Sequence, residues 1–251
     1  MTALLVSVRS HDEALDAAGA GAELIDLKEP RDGALGGLPV AEIARIAREV
    51  RARFPVKPIS ATIGDLPSDA LDAIAERVQA VSDAGVDYVK VGVTQGPSAR
   101  ACLDLLAGLP ASVVPVLLCD AGADDGMVSH AASLGFVGVM FDTLGKDGRT
   151  LFDHVDDATL ARWMREIGRR GAMTGLAGSL GWAQLDSVRA LAPDFAGFRG
   201  AVCADGRGSR LDPRRVAQWV EALHRARSAG IAAAPLNPSA QRDGGAARPA
   251  S

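Results

Sequence analysis

Short aliphatic runs alternate along this chain with longer stretches whose apolar residues recur every three or four positions. The runs, at 3–8, 23–28, 57–62, 86–91, 113–119, 136–141, 172–176 and 195–199, are too short for helices and rich in Val, Ile and Leu. Their near-continuous apolar character predicts strands buried on both faces, as in a parallel sheet covered by helices. The amphipathic stretches predict helices near 11–20, 39–53, 68–84, 97–107, 124–134, 157–170, 182–191 and 212–228. Strand and helix alternate eight times, which predicts an α/β protein with a TIM (β/α)8 barrel as its single domain over 1–230. A doubly wound open sheet is the runner-up, but no glycine fingerprint for a dinucleotide follows the first strand.

Punctuation agrees with this division. Asp12 or Ser10 is placed to cap the first helix, Ser68 the third and Ser98 the fourth. Ala20-Gly21, Ala84-Gly85, Leu134-Gly135 and Arg170-Gly171 each close a helix ahead of a strand, with glycine supplying the left-handed conformation. Beyond Ile231 the chain turns to Ala, Pro, Gly, Ser and Asn without periodicity, so 231–251 is expected to be a disordered tail.

These glycine pairs put the strands in register. Counted from the preceding helix-ending glycine, Asp26 and Lys90 fall at one position, and Lys28 and Asp142 fall two residues further on. Side chains alternate with period two along a strand. Asp26, Lys28, Lys90 and Asp142 are therefore expected to share one orientation, into the barrel mouth.

Composition narrows the chemistry. The 251 residues are 48% hydrophobic and carry a net charge of −4 without a basic block, which argues against a general nucleic-acid binder. The absence of a long apolar run and of a basic leader argues against a membrane or exported protein, and three scattered cysteines fit a reducing cytoplasm. Only four of the 27 basic residues are lysine, and Lys28, Lys90 and Lys146 lie at or just beyond strand ends. Arginine stays protonated and forms no imine, whereas a buried lysine amine can act as a nucleophile or base. A strand-end lysine flanked by aspartate thus suggests Schiff-base and proton-transfer chemistry, with structural ion pairs as the plainer explanation.

Other segments suggest a ligand. Ser60-Ala61-Thr62-Ile63-Gly64-Asp65 leaves room after the third strand. There Ser60 and Thr62 are candidate substrate contacts, and Asp65 either orients a water or substrate hydroxyl or caps the next turn. Asp142 to Thr150, with Lys146 and two glycines, reads as a loop folding over a ligand. Gly178, Ser179, Arg199 and Gly200 sit after strands seven and eight, where barrels bind phosphate on backbone N–H groups. Arg199 would add a bidentate donor, while Arg207 and Arg210 are expected on a solvated loop. The four histidines, His11, His130, His154 and His224, fall away from strand ends, so no metal is expected, and the lysine chemistry demands no cofactor.

Taken together, these segments resemble the (5-formylfuran-3-yl)methyl phosphate synthase family of methanofuran biosynthesis, from about Leu4 to Leu223. The likeness rests on Leu4-Leu5-Val6-Ser7-Val8, Ile25-Asp26-Leu27-Lys28-Glu29-Pro30 with Gly33-Ala34-Leu35-Gly36, and Ser60 to Asp65. It continues through Asp87-Tyr88-Val89-Lys90-Val91-Gly92, Asp142-Thr143, Lys146-Asp147-Gly148, Thr150 to Asp153, Leu176 to Ser179, Arg199-Gly200-Ala201 and Cys203. The resemblance implies condensation of two glyceraldehyde 3-phosphate molecules to a furan aldehyde phosphate. Lys28 would be the Schiff-base lysine and Lys90 the proton acceptor, with Asp26, Asp142 and Lys146 completing the polar centre. Cys119-Asp120-Ala121-Gly122 matches the family pattern less well, which leaves that wall of the pocket open. The expected partner is a phosphorylated triose, and a homo-oligomer is compatible with a barrel of this size. Another lysine-dependent aldolase or phosphosugar isomerase, or a non-catalytic phosphometabolite-binding barrel, are the competing readings.

Overall fold

Eight parallel strands close on themselves in sequence order, each followed by a helix on the outside. The computed structural model describes residues 1–145 and 147–225. The strands are β1 (Ala3–Val8), β2 (Leu24–Leu27), β3 (Ile59–Thr62), β4 (Tyr88–Val93), β5 (Val113–Leu118), β6 (Gly138–Asp142), β7 (Met173–Leu176) and β8 (Phe195–Phe198). The helices are α1 (His11–Gly19), α2 (Val40–Arg53), α3 (Leu71–Asp83), α4 (Ala99–Gly108), α5 (Asp125–Ser133), α6 (Asp157–Gly168), α7 (Leu185–Leu191) and α8 (Pro213–His224). Single 3-10 turns, Cys119–Ala121, Leu151–Asp153, Trp182–Gln184 and Gly200–Val202, follow β5, β6, β7 and β8. The barrel predicted from the alternation is the barrel observed. No described helix is long and apolar enough to cross a membrane. The expected tail at 231–251 lies outside the described residues.

The continuous aliphatic strands make two separate cores. One face, with Leu4, Val6, Ile25, Leu27, Ile59, Ala61 and Val89, packs under the helices. The other, with Leu5, Val114, Val116, Met140 and Phe195, fills the barrel interior. Interior glycines make room for these larger neighbours. A Cβ on Gly175 would lie 2.2 Å from the Phe195 ring, and one on Gly92 would lie 2.6 Å from Leu35.

Helix boundaries follow the expected signals in part. Gly21, Gly85, Gly135 and Gly171 all have positive φ, between 75 and 100°, as helix stops require. Ser10 caps α1, accepting from Glu13 N at 3.3 Å, and Asp124, Asp156 and Asp212 cap α5, α6 and α8. The other two expected caps are not formed. Helix α3 starts later, at Leu71, so the Ser68 hydroxyl instead accepts from Thr94 N, and Ser98 precedes α4 without a side-chain cap bond.

Candidate active site

Four charged residues converge at the C-terminal end of the barrel because the register turns them inward. Ser7, Asp26 and Ser60 are side by side on β1, β2 and β3, and Lys90 follows on β4 beside Thr62. Asp26 is fully buried. Its Oδ2 accepts from Ser7 Oγ at 2.9 Å, and its Oδ1 accepts from Ser60 Oγ at 2.7 Å and faces Lys90 Nζ at 2.9 Å. Burial alone would push the carboxyl up. The charges of Lys90 and Lys28, with the hydrogen bonds from Ser60 and Lys90, outweigh it and hold Asp26 below the usual carboxylate range.

Above this group lies a cavity of about 380 Å³. Lys28, Lys90 and Asp142 all line it, together with Ser7, Gly148 and the segments Ala177–Gly181 and Gly197–Ala201. The shared inward orientation of the two lysines and Asp142 is therefore a feature of the structure. Lys28 is buried, and its amine donates to the carbonyl of Ala34 at 3.1 Å. Asp142 is also buried and accepts from Thr143 N at 2.7 Å. Lys146 lies outside the described residues.

Gly178, Ser179 and Gly200 line the cavity. Gly178 and Ser179 have φ of +96 and +53°, which turns the chain sharply after β7. Ser60 lies deeper, where its hydroxyl is committed to Asp26.

Three further expected ligand contacts are otherwise engaged. Arg199 was expected to clamp phosphate, but all five of its N–H groups go to protein acceptors. Nε donates to Arg207 O, Nη1 to Ser7 O and Glu13 Oε2, and Nη2 to Glu13 Oε1 and Ser209 O. It anchors the β8–α8 loop to α1, with no donor left for a ligand. Thr62 donates its hydroxyl to Gly36 O at 2.9 Å, and Asp65 accepts from Leu35 N at 3.0 Å. Both hold the β2–α2 loop where it folds back over the end of β3, with Thr62 buried beneath it and Asp65 at its exposed rim.

Two residues were missed. Arg207, expected on a solvated loop, is half-buried and lines the cavity. Its Nη2 donates to Gly33 O at 2.7 Å, and among the described residues no carboxylate forms an ion pair with it. Asp120, in the segment left open, accepts from Leu144 N and Gly145 N at 2.6 Å each and ties down the start of the β6–α6 loop. Neither role has a local sequence signal, since both depend on where distant loops return.

The β2–α2 loop also shapes the mouth. Leu35 is fully buried in the interior cluster beside Gly92 and Leu118, above β4 and β5. Among the described residues, none from β3 or β5 lines the cavity.

The structure resembles solved TIM-barrel enzymes. Among them are 3-hexulose-6-phosphate synthase from Salmonella typhimurium (TM-score 0.59, 20% identity, 89% of this chain and 100% of that one) and phosphoribosyl anthranilate isomerase from Thermus thermophilus (TM-score 0.59, 15% identity, 89% and 98%). At such identities the likeness is one of fold. Sequence similarity is closer to furan phosphate synthases. A Methylorubrum extorquens protein provisionally named (5-formylfuran-3-yl)methyl phosphate synthase is 42% identical over 222 residues, 88% of this chain and 91% of the relative. The (5-formylfuran-3-yl)methyl phosphate synthase of Archaeoglobus fulgidus is 32% identical over 242 residues, 88% of this chain and 99% of the relative. With residues 4–220 also matching the 4-HFC-P synthase profile, the chain belongs to the 4-HFC-P synthase family of enzymes.

Proposed function

We propose that this enzyme condenses two molecules of glyceraldehyde 3-phosphate into (5-formylfuran-3-yl)methyl phosphate through a Schiff base on Lys28, acting as a carbon–oxygen lyase on phosphates. The observation that carries the reading is the pair of buried amines, Lys28 and Lys90, set around one buried carboxylate in a single cavity. A binding protein for phosphometabolites gains nothing from buried lysine over arginine, whereas carbonyl chemistry requires the amine.

In this reading the Lys28 amine adds to a triose carbonyl. The carbinolamine then loses water, leaving an iminium that acidifies the neighbouring C–H. Lys90, in its unprotonated form, takes that proton, Asp26 stabilises the ammonium that results, and the enamine carbon attacks the aldehyde of the second triose. Asp142 and Lys146 serve the later eliminations as proton donors. The product differs from two trioses by one inorganic phosphate and two waters, with no net oxidation or reduction, so the balance requires no redox cofactor. Gly178–Ser179 and Gly200–Ala201 offer backbone N–H groups to one phosphate, and Arg207 offers a guanidinium to the other.

Borohydride added with glyceraldehyde 3-phosphate should attach one triose to Lys28, read by intact mass and peptide mapping. In its absence the same mixture should develop furan absorbance and release phosphate. Lys28→Arg should fold and do neither. Unmodified wild-type protein after borohydride, or turnover by the arginine variant, would exclude the Schiff base. A phosphosugar without furan absorbance would point to a related aldolase or isomerase.

A further inference from the structure

The amine of Lys28 is positioned by a residue that touches neither it nor the cavity. Ala34 C=O and Leu35 N–H belong to one peptide group. Its carbonyl accepts from Lys28 Nζ at 3.1 Å, and its N–H donates to Asp65 Oδ1 at 3.0 Å. The run carboxylate, peptide, amine is therefore unbroken. A carboxylate on the N–H side polarises the peptide and makes its carbonyl a stronger acceptor.

The rest of the loop leaves this peptide little freedom. Leu35 is locked into the barrel interior, Thr62 holds Gly36 O, and Arg207 holds Gly33 O. The Asp65 carboxylate is itself pressed against the loop. A Cβ on Gly33 would lie 1.8 Å from Asp65 Oδ2, and Gly33 has a φ of +106°. A side chain at position 33 is thus incompatible with Asp65 where it stands. These contacts fit one peptide plane gripped from outside so that its carbonyl faces inward.

We propose that Asp65 is a positioning residue for the nucleophile, acting through the Ala34–Leu35 peptide on the amine of Lys28. This rests on the Schiff-base reading above. A neutral amine that donates one N–H to Ala34 O keeps its lone pair for attack on the carbonyl carbon. When the carbinolamine expels water, the iminium nitrogen retains one hydrogen, which the same carbonyl accepts. That fixed acceptor therefore serves both the attacking and the condensed forms.

The test compares Asp65→Ala and Asp65→Asn with wild type, using glyceraldehyde 3-phosphate turnover and the rate of borohydride trapping at Lys28. Asparagine keeps an oxygen for Leu35 N, and alanine does not. In the alanine variant kcat and the trapping rate should fall together by about 10- to 100-fold, as a misplaced reacting group does, with KM little changed. Asparagine should recover most of the loss. A merely structural role would lower the melting temperature and the fraction of active protein but leave the trapping rate per active site unchanged, and that result would overturn the proposal. If the alanine variant fails to fold, Asp65→Ser, too short to reach Leu35 N, is read in the same way. Wild-type protein that is not trapped at Lys28 removes the Schiff-base reading and this inference together. Wild-type trapping with an unaffected Asp65→Ala variant removes this inference alone.

Discussion

The amine of Lys90 lies 2.9 Å from the carboxylate of Asp26, with side-chain exposures of 3% and 0%. Both charges are out of water, and their attraction offsets the loss of hydration only while both are present. Asp26→Asn keeps the size of the side chain but strands the Lys90 ammonium. The variant should be less stable by roughly 3–5 kcal/mol, the usual cost of breaking a buried pair, and should lose turnover. Chemical denaturation and activity measure the two effects. The pair also has a pH signature. Because the folded Asp26 carboxyl lies below its unfolded value, its contribution is complete above the ordinary carboxylate range and is lost as pH falls through the folded value.

Glu13 and Arg199 form the second buried pair, with Nη1 to Oε2 at 2.6 Å. Burial pushes the Glu13 carboxyl up, but the Arg199 hydrogen bond and charge, with N–H groups of Arg9 and Leu211, bring it below the usual range. Arg199→Met reverses that balance and leaves a buried carboxylate that prefers to be protonated. The stability gap from wild type should be widest at neutral pH and should narrow on acidification below about pH 4. Urea denaturation at several pH values reads this directly.

Arg207 reaches the cavity with no carboxylate partner among the described residues, so in the proposed reaction its charge is available to a substrate phosphate. Arg207→Ala should raise KM for glyceraldehyde 3-phosphate by about tenfold or more, the loss of a charge-assisted hydrogen bond. Arg207→Lys should recover only part of it, because one ammonium cannot hold Gly33 O and a phosphate as a planar fork does. Initial rates over a range of substrate concentrations decide the matter.

Gly175 pairs in register with Phe195 on the adjacent strand, with 2.2 Å between an added Cβ and the ring. Gly175→Ala should cost roughly 1–3 kcal/mol through overpacking, and Phe195→Leu in the same chain should return part of it. Thermal melting of the single and double variants tests the coupling.

Much of this molecule was legible in its sequence. The strands were, because residues such as Val113–Leu118 are buried on every position and leave an unbroken aliphatic run. The inward set Asp26, Lys28, Lys90 and Asp142 was also legible, since strand periodicity carries orientation from one repeat to the next. Arg199 was misread because its partner, Glu13, is 186 residues away, and a strand-end arginine looks the same whether it meets phosphate or carboxylate. Thr62 and Asp65 were misread for a related reason. A loop that folds back over a strand end takes up donors and acceptors that would otherwise face a ligand. Lys146 stays a sequence-based expectation.

Leu35 stops the quadrant of the mouth above β4 and β5, so among the described residues access is left to the side lined by β6, β7 and β8. In the proposed reaction, the partner destined for the amine has to arrive before its twin settles behind it. Product departs only after the outer berth has emptied. In that reading the restricted mouth would impose a compulsory sequence of arrivals, and crowding by excess triose would obstruct the exit. Rates that decline again at high concentration would be the kinetic imprint of a single leucine.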